Sequence, residues 1–221
     1  MSLEVIEVFS RYSVEYDSWY KTPYGRAVLE SEANLLNLLL PSGVGLDLGS
    51  GTGVFAEKLA LNREIVCLDP TSEMLVLAKS RCQHSVLAVG EHPPLRVGSL
   101  DFIYAVTVLE FLENPLEMMV AVKGLLKPNG RLVLLSIEKN SPWGRMYAEI
   151  AEKGTDPVIS MARLYTLSEV EEYLKTAGYK VYERAFTLDY EPLTTPSKPP
   201  RLYIGEYCSS CGVFAVVATP T

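Results

Sequence analysis

A chain of 221 residues that is 48% hydrophobic can bury one substantial core, and no shift in composition along it asks for a second. Its 20 Lys and Arg against 27 Asp and Glu leave a formal charge of −7, which disfavours a nucleic-acid backbone as the main partner, because phosphate binding needs a positive surface. No apolar run approaches a membrane span and the N-terminus lacks a charged-then-apolar leader pattern, so no membrane is expected and a cytoplasmic location is.

In chain order, Tyr12, Tyr16, Tyr20 and Tyr24 recur every fourth residue with Trp19 beside them, which predicts an aromatic helix face in an N-terminal segment, residues 1–43. Helical periodicity runs from about Gly25 to Leu40 and stops at Pro41-Ser42-Gly43. Strands are then expected at Val44–Leu48, Ile65–Asp69, Ser85–Val89, Leu100–Val106 and Arg131–Ile137. Helices are expected between them at Val54–Leu61, Ser72–Arg81 and Pro115–Leu126, the last closed by Lys127-Pro128-Asn129-Gly130. Such alternation implies a parallel sheet with helices on both faces. Beyond an insertion around residues 139–167, a capped helix at Ser168–Ala177 ends at Gly178, and Tyr179–Thr187 and Gly212–Ala218 read as strands that pair antiparallel. The proline-rich connection from Leu188 to Cys211 reads as a long ordered loop. Cys67 and Cys82 lie in apolar or helical segments and only Cys208 and Cys211 are close together, so no disulfide framework is evident and a reducing compartment fits.

The most informative segment is Val44-Gly45-Leu46-Asp47-Leu48-Gly49-Ser50-Gly51-Thr52-Gly53-Val54-Phe55, a buried strand, a tight turn and a helix start. Glycines at alternate positions leave one side of the backbone without Cβ atoms, so a ligand can approach closely, and the helix points its free N–H groups at that ligand. A dinucleotide fingerprint would put its third glycine where Val54 stands, and a phosphate loop would need Lys followed by Ser or Thr, which is absent.

The spacing acidic-x-Gly-x-Gly-x-Gly instead resembles motif I of the class I S-adenosylmethionine-dependent methyltransferases, in their small-molecule, type 11-like branch. That resemblance implies that Asp47 accepts from the donor's ammonium group and that Gly49, Ser50, Gly51 and Gly53 accommodate its amino-acid portion. It continues at Val66-Cys67-Leu68-Asp69-Pro70, where the family's carboxylate takes both ribose hydroxyls, here Asp69, followed by Pro70. Met74, in Ser72-Glu73-Met74-Leu75, stands where an apolar side chain packs on adenine. Gly90-Glu91-His92 is similar to the family's Gly-Asp-Ala, which implies Glu91 on the adenine amino group and the His92 backbone N–H on a ring nitrogen. Ser99-Leu100-Asp101-Phe102-Ile103 and Leu125-Leu126-Lys127-Pro128-Asn129-Gly130-Arg131-Leu132 resemble two further family segments, so the likeness covers roughly residues 44–137.

The implied fold is an α/β doubly wound, mostly parallel seven-stranded sheet with its last strand antiparallel, over residues 44–221. The implied activity is transfer of a methyl group from S-adenosylmethionine to a small molecule, leaving S-adenosylhomocysteine. Tyr16-Asp17-Ser18-Trp19-Tyr20 is similar to the Tyr-Asp-x-Trp segment of small-molecule relatives, which makes Tyr16 a lid residue over the donor. Trp143, Tyr147, Arg163 and Tyr165 stand where relatives contact the acceptor, although packing for the aromatics and a surface charge for Arg163 explain them somewhat better. The Asn-Pro-Pro-Tyr or Asp-Pro-Pro-Tyr signature of the family's amino-group methylases of nucleic acid or glutamine is absent, and Phe111 replaces the histidine that often follows Leu-Glu in small-molecule relatives. His84 reads as a surface residue, no catalytic base is identifiable, and a zinc site at Cys208 and Cys211 would need two further ligands. Two alternatives stay open at this point: a non-catalytic binding or regulatory module of the same fold, and a nicotinamide-dependent oxidoreductase. The oligomeric state is not legible.

Overall fold

The structure, a computed structural model, describes residues 1–221. Three helices come first: α1 (Leu3–Arg11), α2 (Ser13–Trp19) and α3 (Pro23–Leu39), the last started by the Thr22 side chain accepting from the Gly25 N–H, with proline in its first turn. Then follow β1 (Gly43–Leu48), α4 (Val54–Leu59), β2 (Arg63–Asp69), α5 (Ser72–Ala78), β3 (His84–Leu87), β4 (Leu100–Val106), α6 (Pro115–Lys123) and β5 (Leu126–Ile137). The chain closes with α7 (Pro142–Lys153), α8 (Leu167–Thr176), β6 (Tyr179–Thr187), β7 (Tyr203–Ile204) and β8 (Val213–Pro220).

The sheet order is β3-β2-β1-β4-β5-β8-β6-β7, with β8 antiparallel to both β5 and β6. The alternating pattern therefore produces the doubly wound sheet, and the closing strand runs against its neighbours. The sheet has eight strands rather than seven. The additional one, β7, is a two-residue edge strand pairing with Ala185 and Phe186 inside what reads as loop. Prolines 192, 196, 199 and 200 keep the chain off the sheet, and pairing begins only past Arg201, where backbone N–H groups return.

Strand β4 shows how the core is organised. Phe102, Tyr104 and Val106 enter one apolar cluster with Leu35, Leu36 and Phe55, while Ile103 and Ala105 enter the other with Met118, Val170 and Leu174. This two-sided burial is what a continuous apolar strand requires. Three helices end earlier than their periodicity suggests, the first being α4, which stops at Leu59. Helix α5 stops at Ala78 because the Arg81 and Cys82 N–H groups both turn back onto its carbonyl, at 2.8 and 2.9 Å. Helix α6 stops at Lys123, since Leu126 already pairs with Leu100 and residues 127–130 loop out before Arg131 meets Phe102. No helix is long and apolar enough to cross a membrane.

The cysteines correct the sequence reading: Cys67 is bonded to Cys82, Cys208 to Cys211, and none is free. The first bond ties β2 to the chain just past α5, which folds back over its own strand, a proximity that a separation of 15 residues conceals. The inference of a reducing compartment loses its basis. A loop of this length implies roughly 3 kcal/mol of chain-entropy stabilisation, so Cys82→Ala should lower Tm by roughly 6–12 °C in a thermal melt. A melt unchanged in the variant would show that the bond constrains nothing.

Candidate active site

Positive φ at Gly49 (70°), Gly51 (52°) and Gly53 (75°) bends the chain sharply between β1 and α4, which explains why all three are glycine. The Gly49 and Ser50 N–H groups anchor the turn on the Leu68 carbonyl, at 2.7 and 3.0 Å. Above it lies a cavity of about 490 Å³, in the range of small-molecule sites, at the carboxyl ends of the strands.

Six of the expected residues line this cavity: Tyr16, Gly49, Gly51, Asp69, Pro70 and Met74. Asp69 is buried and accepts from the Gly51 N–H (2.8 Å) and the Thr71 N–H (2.9 Å). Burial raises its carboxyl above the usual range, against the lowering by those two N–H groups. A carboxylate has about four acceptor sites, so roughly two remain for a ligand.

Five expected residues do not line it: Asp47, Ser50, Gly53, Glu91 and His92. Strand alternation turns Asp47 away from Leu46 and Leu48 toward Tyr104, where its Oδ2 has no partner and burial pushes it up to about 7. Ser50 is buried with its hydroxyl unpartnered. Gly53 packs beneath the turn, where a Cβ would stand 2.7 Å from the Cys82 sulfur. Glu91 is paired with the Met1 amino group, and the His92 N–H closes a turn onto the Val89 carbonyl at 3.1 Å.

Helix α2 roofs the site. Its buried Asp17 pairs with Arg81, which also donates to the Thr52 carbonyl at 2.9 Å, and with Lys21 at 2.7 Å, so one guanidinium joins the roof to the glycine turn. Burial would raise Asp17, but the hydrogen bonds from Arg81 and Lys21 outweigh it and hold its carboxyl at about 2. Trp143 and Tyr147 from α7 complete the wall. Arg163 and Tyr165 lie outside it: the Arg163 N–H donates to the Glu110 carbonyl and its guanidinium lies over the Tyr165 ring at 5.2 Å.

Among the lining residues that were not expected are two buried acids, Glu32 on α3 and Glu110 after β4. Glu32 could have been found from the stripe Val28, Glu32, Leu35, Leu39, which puts an acid on the buried face. Burial, and secondarily Glu110, pushes Glu32 up to about 8. Burial pushes Glu110 to about 7 against the lowering by the Ile137 N–H, which its Oε1 accepts at 3.0 Å.

Both groups bind their protons more tightly in the folded chain than in the unfolded one. Their stabilising contribution is therefore full below the ordinary carboxylate range and is lost as pH rises through about 7 for Glu110 and about 8 for Glu32. Glu32→Gln should accordingly raise Tm more at about pH 9 than at about pH 5, by roughly 2–4 °C per kcal/mol relieved. Equal shifts at both pH values would contradict this assignment.

A family model for a methyltransferase domain matches residues 46–134. An uncharacterised protein of Methanocaldococcus jannaschii is 34% identical over 175 residues, which cover 79% of this chain and 82% of that protein. The malonyl-[acyl-carrier protein] O-methyltransferase of a Marinomonas species is 30% identical over 142 residues, 60% of this chain and 51% of the enzyme, so the match spans about half of that relative. A crystal structure from Thermotoga maritima, named "SAM-dependent methyltransferase, possible histamine N-methyltransferase", superimposes with a TM-score of 0.87 at 26% identity over 98% of this chain and 100% of that one.

Proposed function

The chain belongs to the class I S-adenosylmethionine-dependent methyltransferases, and within that family we propose that it methylates a small molecule rather than a macromolecule. Membership removes the nicotinamide alternative, and the chain is an enzyme of transferase type. The observation that supports a small acceptor is the form of the cavity, a single largely apolar space of about 490 Å³ bounded by the glycine turn, the α2 roof and the α7 wall.

The residues present suit the donor. Gly51 leaves open the space between the turn and the Tyr16 ring, where a Cβ would come within 3.4 Å. Asp69 keeps acceptor capacity for ribose hydroxyls, Met74 offers an apolar face, and the lining acids suit a cation. When bound, the donor supplies a methyl carbon made electrophilic by positive sulfur. The protein's own task is then to hold the acceptor in line and keep water out, for which Tyr16, Val106 and Tyr147 provide the walls.

The test is incubation of a cell extract with the chain and S-adenosylmethionine labelled in its methyl group, followed by size separation. Label is expected in low-molecular-weight products that separate from S-adenosylmethionine itself and are absent without the chain. Incorporation confined to protein or RNA would overturn the small-molecule assignment.

A further inference from the structure

We propose that the part of the cavity walled by Glu32, Glu110, Tyr16, Tyr20 and Tyr147 recognises the ammonium group of a small organic amine, and that this nitrogen is the methyl acceptor. The inference rests on the small-molecule reading and narrows it to one substrate class.

The first argument is charge. Glu15, Glu32, Asp69, Glu110 and Asp156 line the cavity, and no Lys, Arg or His does. Met1 lines it too, but its amino group is already paired with Glu91, so an acceptor carrying a carboxylate or phosphate would find no free counter-charge there. The second is unmet bonding capacity. Glu32 is only 4% exposed and makes no hydrogen bond, while Glu110, at 2%, leaves its Oε2 unpartnered. Burying two such carboxyls near one another is costly, and burial combined with their mutual repulsion keeps Glu32 protonated more readily than an ordinary acid. A ligand with several N–H donors and a positive charge relieves both costs, whereas a neutral hydroxyl relieves only the bonding deficit. The third is the surrounding surface, since Tyr16, Tyr20 and Tyr147 present aromatic rings to the same space and ring faces attract cations.

The site also supplies what an amine needs before it can react. An ammonium has no lone pair, so an N–H bond must break first; on binding, the positive charge beside Glu32 drives the carboxyl proton out to solvent, and the amine proton then passes to the freed carboxylate oxygen, forming O–H and leaving the nitrogen pair free. Methylation of an ammonium releases one proton overall, and Glu32 is the group that takes it. Glu110, fixed through Oε1 on the Ile137 N–H, holds a second N–H of the amine with Oε2.

The experiment is calorimetry on the full chain saturated with S-adenosylhomocysteine, titrated with a panel of primary amines including 2-phenylethylamine, with 2-phenylethanol and phenylacetate as near-isosteres. At least one amine should bind saturably and at least about tenfold more tightly than the alcohol, with the carboxylate weakest. Glu32→Gln should weaken the amine at least about tenfold while S-adenosylhomocysteine affinity stays within about twofold; Glu110→Gln, which keeps Oε1, is the second variant, and thermal melts establish that both fold. The proposal is overturned if no amine binds, if the alcohol or carboxylate matches the amine, or if amine affinity is unchanged in both variants. An equal loss of S-adenosylhomocysteine affinity in Glu32→Gln also overturns it, because Glu32 would then serve the donor's own ammonium group. A wild-type chain that binds no S-adenosylhomocysteine overturns the donor assignment itself, a result distinct from intact donor binding without amine binding.

Discussion

Asp69→Ala is expected to weaken S-adenosylhomocysteine binding by at least about 100-fold, equivalent to about 2.7 kcal/mol. The magnitude follows from two hydroxyl hydrogen bonds to one charged acceptor, each typically contributing roughly 1.5–3 kcal/mol in a water-poor site. Asp69 is placed for this by the end of β2, where Oδ2 accepts from Gly51 and Oδ1 from Thr71. The same bonds give the variant a separate cost: two backbone N–H groups lose their acceptor, on the order of 1–3 kcal/mol of stability for a buried orphan donor. Affinity must therefore be measured on chain shown to be folded, by calorimetry below its melting temperature. Asp69→Asn keeps one carbonyl acceptor and should fall between wild type and Asp69→Ala in both measurements. A donor affinity within about threefold of wild type in folded Asp69→Ala would remove Asp69 from the ribose site.

What was legible in the sequence and what was not separate along a physical line. Strand β4 keeps its expected limits, Leu100–Val106, because a run of apolar residues buried on both faces admits little else. The glycine turn was legible because positive φ at alternate positions is a local demand that side chains cannot meet. Helix α7 carried a usable signal that went unread, Ser141 before a proline and Gly154 in the left-handed region after the last turn. The Cys67–Cys82 bond was not legible, since it depends on how tightly α5 returns to β2. Nor was the orientation of Asp47, because an acidic residue near the end of the first strand reads as facing the ligand until the register with Tyr104 shows which face it occupies. Glu32 marks the limit most clearly: the helical stripe that carries it was readable, but the cavity that keeps it unpartnered is made by α2, α3, α7 and the loop after β4 together.

Gly51→Ala and Gly45→Ala should have opposite effects, and the contrast separates a glycine kept for a ligand from one kept for packing. At Gly51 (φ 52°) a left-handed non-glycine residue costs roughly 1–2 kcal/mol, and its Cβ would meet the Tyr16 ring at 3.4 Å, an ordinary contact. The chain should fold, yet the new methyl group occupies the space between turn and roof that the donor must enter, so S-adenosylhomocysteine affinity should drop by at least about tenfold. At Gly45, within β1, a Cβ would stand 2.0 Å from the Phe102 ring, which is fully buried and cannot move without displacing the core. Overpacking of this kind costs roughly 1–3 kcal/mol or more, while the cavity wall is untouched, so the folded fraction should bind the donor normally. Denaturant unfolding and calorimetry on both variants give the comparison. A Gly51→Ala chain that binds the donor as wild type does would show that the turn's bare backbone serves the bend alone.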